Sequence, residues 1–250
     1  MGYTNRLADI DILQEKIRAH RPLDAAELRQ LKEYYRIGLT WSSNALEGNS
    51  LTESETKVVL EDGITVGGKP LRDHFEAIGH SEAFDLLYHL ARNGDITEKD
   101  ILELHRLFYY RIDPEHAGHY RDRNVIITGT DYLPPTPAEI PGCMAAFMAE
   151  VHALRQQHSV VCAAQLHLKL VTIHPFVDGN GRTARLLMNL ALLQAGYPIT
   201  VIPPVLRGDY ITALRESNQG HDELFVNFIS CCVWESQREY LRLLTGLDRS

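Results

Sequence analysis

Basic residues are too few in this 250-residue chain for it to read nucleic-acid backbones: 25 Lys and Arg stand against 33 Asp and Glu, a formal net charge of −8 at pH 7. Proteins that track a phosphate backbone need clustered cations to release its counterions. Cysteine is equally sparse. Cys143, Cys162, Cys231 and Cys232 show no Cys-x-x-Cys spacing, which argues against a zinc ribbon or a dithiol redox motif, and they are expected to be reduced, buried thiols. The most apolar run, Leu186 to Tyr197, is too short to span a bilayer and is interrupted by Asn189 and Gln194. Met1 to Arg6 lacks a signal-peptide core, and Arg6 stands where a myristoylation motif needs Ser or Thr. Repeats and low-complexity tracts are missing too. The expectation is a cytoplasmic globular protein with neither membrane nor nucleic-acid partner, long enough to build one core without disulfides.

What is present is helical spacing. Apolar residues recur at a 3.6-residue period almost throughout, so the expected fold is all-α, a single compact domain. Thr52 with Glu55 reads as a capping box for a helix ending near Gly63, and Thr97 with Asp100 as a second before Ile101 to Tyr110. Further helical patterns run at 71–92, 142–157, 160–173, 182–195, 209–218 and 223–244. The exception is Asp113 to Pro141, rich in Pro and Gly, where Val125-Ile126-Ile127, Thr128-Gly129-Thr130-Asp131 and Tyr132-Leu133 read as a small β-hairpin.

One segment carries chemistry: His174-Pro175-Phe176-Val177-Asp178-Gly179-Asn180-Gly181-Arg182-Thr183-Ala184-Arg185. Pro175 cannot continue the preceding helix, so His174 ends it, and Asp178 to Gly181 supply residues that tolerate a tight turn. A glycine-rich turn opening into a helix aims unpaired N–H groups and the positive end of the helix dipole at one point, which suits a phosphate. Arg182 and Arg185 share a face of that helix with Asn189. Asp178 offers a hard oxygen for Mg²⁺ beside the phosphates. His174 has a reference pKa near ~6.5 and can accept the proton of an attacking hydroxyl. The combination points to transfer of a phosphoryl-type group.

This segment resembles the Fic family of nucleotidyltransferases, whose pattern His-Pro-Phe-x-(Asp/Glu)-Gly-Asn-Gly-Arg-x-x-Arg it matches at every fixed position. The resemblance implies a protein adenylyltransferase that moves AMP from ATP to a Tyr, Thr or Ser hydroxyl. It implies His174 as general base, Asp178 as Mg²⁺ ligand, Gly179, Asn180 and Gly181 as anion hole, and Arg182 and Arg185 as phosphate holders. Gly118 to Arg121 through Tyr132 to Pro135 is similar to the family's hairpin flap, implying that Ile126, Ile127, Thr128 and Gly129 register an extended target strand. Tyr210 and Asn218 sit where related proteins contact the adenosine.

Ser43-Asn44-Ala45-Leu46-Glu47-Gly48 matches the family's inhibitory pattern, (Ser/Thr)-x-x-x-Glu-(Gly/Asn). The resemblance implies that Ser43 and Glu47, on N-terminal helices spanning 1–65 and packed on a catalytic core of 66–250, hold the enzyme off, Glu47 by pairing with Arg185 in place of the γ-phosphate. Two alternatives stay open: a phosphodiesterase removing AMP through the same site, alone or beside transfer, and a nucleotide-sensing binding module. Self-modification and self-association are further expectations.

Overall fold

Short polar side chains mark where several helices begin. Asp24, Thr52 and Thr97 each accept the backbone N–H three residues on, while Glu27, Glu55 and Asp100 reach back to the capping residue's own N–H. The computed structural model describes residues 2–127 and 130–248. Its helices are α1 Leu7–Arg18, α2 Ala25–Ala45, α3 Glu53–Lys57, α4 Leu71–Leu90, α5 Glu98–Tyr109, α6 Ile140–Leu154, α7 Ser159–Ile173, α8 Asn180–Gln194, α9 Arg207–Ser217 and α10 Asp222–Leu247. A π-helical turn, Val58–Asp62, follows α3 and ends at Gly63, which takes the left-handed conformation (φ 65°). A 3-10 turn, Pro204–Leu206, leads into α9.

Helix α8 is the axis of the fold. Leu186, Leu187, Met188, Leu190 and Leu192 are all fully buried, and Arg182, Arg185 and Asn189 on its polar stripe are at most 3% exposed; a helix buried nearly all round belongs at the centre. It packs on α7, α4, α5 and the C-terminal part of α2, while α10 lies across α1, α7 and α9. Ile10 of α1 and Tyr35, Leu39 and Leu46 of the α2 segment join Phe84, Phe108, Phe225 and Phe228 in one continuous core. Asn189 lies in the middle of α8. Its side chain accepts from Thr200 N–H at 2.7 Å and donates to Thr200 O at 3.0 Å, stapling the loop before α9 to the axis.

The structure corrects two expectations. Cys162 and Cys232 are buried, whereas Cys143 and Cys231 are partly exposed; all are free thiols. The expected β-hairpin is not formed: among the described residues Asp113 to Pro141 carries no strand, and Thr128 and Gly129 lie outside them. A two-stranded ribbon is marginal without a third element beneath it, and here Ile126 and Leu133 are 88% and 79% exposed. Arg121 anchors the segment instead. Its buried guanidinium donates to His174 O at 2.9 Å, to Arg123 O at 3.0 Å and to Pro135 O. Among the described residues no helix is long and apolar enough to cross a membrane.

The core also holds neutral histidines. Burial pushes His80 down to about 3 and His105 to about 4, with His167 well below its ordinary value. An unfolded chain protonates them near pH ~6.5, so below that it binds protons the folded state refuses. Stability should therefore fall as pH drops from about 6.5 toward 4, with a slope of at most about 1.4 kcal/mol per pH unit for each such histidine. Urea midpoints at pH 7, 6 and 5 check this; an unchanged midpoint would contradict it.

Candidate active site

Helix α7 stops at Ile173 because Pro175 cannot continue it. His174 takes φ 50° and ψ 56°, the one non-glycine with positive φ among the described residues, while its N–H still reaches Leu170 O at 2.9 Å. Strain of this kind persists where the surroundings enforce it. Its Nδ1 lies 3.2 Å from Val171 O. A carbonyl can only accept, so Nδ1 carries the hydrogen and Nε2 keeps its lone pair. Burial lowers the imidazole's pKa, Arg121 adds to this, and the Val171 carbonyl opposes it in part.

The following turn is held by its own side chains. Asn180, 2% exposed, accepts from Phe176 N–H and donates to Phe176 O, both at 2.9 Å. It thus shapes the loop with its amide. Gly179 has φ 78°, and a Cβ there would come within 2.8 Å of the Phe108 ring. Helix α8 starts at Asn180, and a Cβ on Gly181 would collide with Glu47 Oε1. The carboxylate of Glu47 therefore covers the first turn of α8, where unpaired N–H groups and the helix dipole attract an anion.

Arg185 is 2% exposed and fully engaged. Nε donates to Ser43 Oγ at 3.0 Å, Nη2 to Ser43 O and to Glu47 Oε1 at 2.8 Å each, and Nη1 to Tyr210 OH at 3.1 Å. Tyr210 OH also lies within hydrogen-bond distance of His167 Nε2, at 3.0 Å. Ser43 lies in the last turn of α2, and Gly48 (φ 95°) turns the chain back just beyond Glu47. Arg207 donates to Leu46 O at 2.7 Å, satisfying another carbonyl at that helix end. Glu47 sits below the usual carboxylate range: burial in the cleft opposes its charge, but Arg185 and Arg182 outweigh burial.

Arg182, 3% exposed, lies over Phe108 and pairs with Glu76 at 2.9 Å and Asp178 at 3.3 Å. The two arginines expected on phosphates are thus matched by carboxylates here. Asp178 also accepts from Gly179 N–H at 2.6 Å and from Arg72 at 2.6 Å. Burial opposes its charge, yet Arg182, the Gly179 N–H and Arg72 together lower its pKa. Among the described residues no group of three or more His, Cys, Asp or Glu side chains could hold a metal alone. Mg²⁺ commonly takes one or two protein carboxylates and completes its shell with substrate phosphates and water. The 40% exposed Asp178 side chain fits that role, and the 55% exposed Arg72 is its one readily displaced partner.

Glu47, Gly181, His174 and Tyr210 line an open cavity. Leu168, Val171, Ile211 and Leu214 supply apolar wall, Thr172, Arg215 and Asn218 polar groups, and Ile127, Thr130 and Tyr132 border it from the 119–135 loop. Tyr132 OH donates to Thr172 O at 3.1 Å, tying the loop to α7. Of the four flap residues expected to register a target, Ile127 faces the cavity, Ile126 faces solvent, and Thr128 and Gly129 are outside the described residues. Sequence reasoning missed Arg72, Glu76 and Arg121, which no local spacing marks. Tyr210 and Asn218, expected from the sequence, do line the cavity; the walls beside them were missed, although 168 and 171 step back from His174, and 211, 214 and 215 lie between Tyr210 and Asn218, at helical spacing.

Residues 95–192 match the Fic/DOC family. The chain is 38% identical over 247 residues to the protein adenylyltransferase Fic of Drosophila grimshawi and to that of Drosophila melanogaster, matches covering 98% of this chain and 50% of each relative. The chain thus spans about half the length of the curated relatives it matches. Among solved structures, a Fic-1 fragment from C. elegans superposes with a TM-score of 0.87 at 28% identity, over 96% of this chain and 72% of that one. A Fic domain containing signaling protein from Bacteroides thetaiotaomicron gives 0.85 at 27% identity, over 96% of this chain and 97% of that one.

Replacing Gly179 by Ala should cost about 1–3 kcal/mol, combining a left-handed backbone with a clash on the Phe108 ring. Gly63, left-handed but with nothing within 4 Å of its Cβ position, isolates the backbone share. Thermal melts should rank Gly179→Ala below Gly63→Ala; equal losses would mean that the ring contact does not constrain the turn.

Proposed function

Because this chain belongs to the Fic/DOC family, we propose that it transfers AMP from ATP to a hydroxyl of a protein substrate and that Glu47 restrains the transfer. The observation that carries the proposal is one arrangement: Arg185 is paired with Ser43, Tyr210 and Glu47, while the Glu47 carboxylate covers the glycine turn at the start of α8. A site built to hold phosphates is occupied by the protein's own carboxylate.

In the proposed reaction Nε2 of His174 takes the proton from the target Tyr, Thr or Ser as its oxygen attacks the α-phosphorus. The new O–P bond forms as the bond to the β-phosphate oxygen breaks, and pyrophosphate leaves. Backbone N–H groups from Gly179 to Gly181 and the α8 dipole face the developing charge without having to reorganise. With Glu47 displaced, Arg185 would grip the terminal phosphate, and the cavity walls, with Tyr210 and Asn218 in the lining, would seat the nucleoside. Mg²⁺ would be held by Asp178 and the phosphates, and when bound it supplies positive charge that offsets theirs. Glu47 in its present place would both remove the arginine and repel the phosphates.

Label from α-labelled ATP with Mg²⁺, with and without cell lysate, should appear on protein with Glu47→Gly and remain low with wild type. Adding His174→Ala should cut labelling by about 10²-fold or more. No labelling by any variant would overturn the transferase reading. Release of AMP from a modified target by wild type, lost in Glu47→Gly, would instead assign the site to hydrolysis.

The pH profile is a second check. Burial depresses His174, and Glu47 opposes that depression, so Glu47→Gly moves the pKa further down. The base is competent only when neutral, so the rate should fall as pH drops through this depressed value, with an acid limb below pH ~6.5. A limb above that would count against His174 as the buried base.

A further inference from the structure

His105 lies outside the catalytic segment, in the middle of α5, yet it touches that segment from behind. It is fully buried, and its ring stacks on Phe176 with centroids 3.7 Å apart and planes 3° from parallel. Gly118 N–H donates to its Nδ1 at 2.9 Å, and its Nε2 lies 3.1 Å from Asp178 O. These two contacts fix the tautomer. A backbone N–H can only donate and a carbonyl can only accept, so Nδ1 carries the lone pair and Nε2 the hydrogen.

Each contact ends on a constrained backbone position. Gly118 has φ 76°, and a Cβ there would fall within 2.9 Å of Arg106 Cβ, so it closes tightly on α5 where the chain enters the 119–135 loop. At the other end, Asp178 O belongs to the same peptide unit as Gly179 N–H, which donates to Asp178 Oδ1 at 2.6 Å. A Cβ on Gly179 would also meet His105 Cδ2 at 3.4 Å. Whatever holds that carbonyl holds the plane of the peptide, and with it the direction of the N–H that orients the carboxylate.

We infer that His105 is a positioning residue: through Nε2–H it sets the Asp178–Gly179 peptide, and thereby aims the Asp178 carboxylate at a divalent cation. This rests on the proposed reading of Asp178 as the residue that holds Mg²⁺ with the nucleotide. The group behind a metal ligand fixes its orientation, and losing such a group typically costs about 10–100-fold in metal affinity. A histidine kept only for packing would do none of this.

Two substitutions in the Glu47→Gly background separate the roles. His105→Phe keeps a ring for Phe176 but loses both hydrogen bonds; His105→Gln loses the stack but keeps an N–H donor that can reach Asp178 O. The readout is the Mg²⁺ concentration at half-saturation of binding of a fluorescent ATP analogue, with thermal melts and with kcat and KM for transfer alongside. His105→Phe should raise the Mg²⁺ half-point by about tenfold or more and leave Mg²⁺-free analogue binding unchanged. His105→Gln should melt lower yet keep the half-point within about threefold of its parent. An unmoved half-point in His105→Phe, or equal losses with and without Mg²⁺, overturns the inference. Should His105→Phe fail to fold, the Gln variant decides alone: a low melt with a near-parental half-point supports positioning, and a half-point raised tenfold refutes it. A parent that binds the analogue with Mg²⁺ but transfers no label removes the transferase reading and leaves the His105 test intact. A parent whose binding ignores Mg²⁺ overturns the role given to Asp178 and this inference together.

Discussion

A guanidinium stripped of water at the centre of an all-helical core is the constraint around which the site is arranged. Removing a cation from water costs several kcal/mol even after the protein relaxes, and only a dense set of partners offsets it. Arg185 finds them on both sides of its helix: Ser43 and Glu47 from α2 and the turn after it, and Tyr210 from α9. The last turn of α2 must therefore lie against α8, and α9 must return to the same point although 25 residues separate Tyr210 from Arg185. His167 extends the set from α7, its Nε2 hydrogen-bonded to the tyrosine hydroxyl.

A second set of charges ties the turn that carries Glu47 to the proposed metal ligand. Asn49, two residues beyond Glu47, donates to Glu76 at 2.9 Å; Glu76 pairs with Arg182 and Arg72; both arginines hold Asp178. Glu76 is 6% exposed, and a carboxylate so buried persists only when paired. The turn after α2 and the turn before α8 are thereby joined through side chains of α4 and α8.

Local features were legible in the sequence because their causes are local. Pro175 ends α7, Gly179 opens α8, and Thr52 and Thr97 cap their helices through partners three residues away. The pattern His174 to Arg185 is brought to one place because the intervening turn and a single helix hold it. Arg121 on His174 O spans 53 positions, and Asp178 O on His105 spans 73. Such pairings depend on how helices pack and leave no spacing to read. The hairpin failed for the converse reason: its sequence offers turn residues, but a ribbon needs apolar support that only the tertiary structure could provide, and Ile126 and Leu133 stay largely exposed.

The partners of Arg185 also decide what could replace Glu47. Three of its four contacts are to neutral oxygens, the hydroxyl and carbonyl of Ser43 and the hydroxyl of Tyr210, and they stay if Glu47 swings out. They satisfy hydrogen bonding but bring no negative charge. A hydrogen bond to a charged group is worth about 1.5–3 kcal/mol, and a buried cation left without a counterion costs more than its lost bond. Glu47 is also the least enclosed partner, with a third of its side chain exposed at the cavity wall, whereas Tyr210 and Ser43 are buried. The geometry thus favours exchange of one anion for another at that position: a neutral ligand would leave the guanidinium uncompensated, while a phosphate on the first turn of α8 would meet both the cation and the helix dipole that now hold the carboxylate.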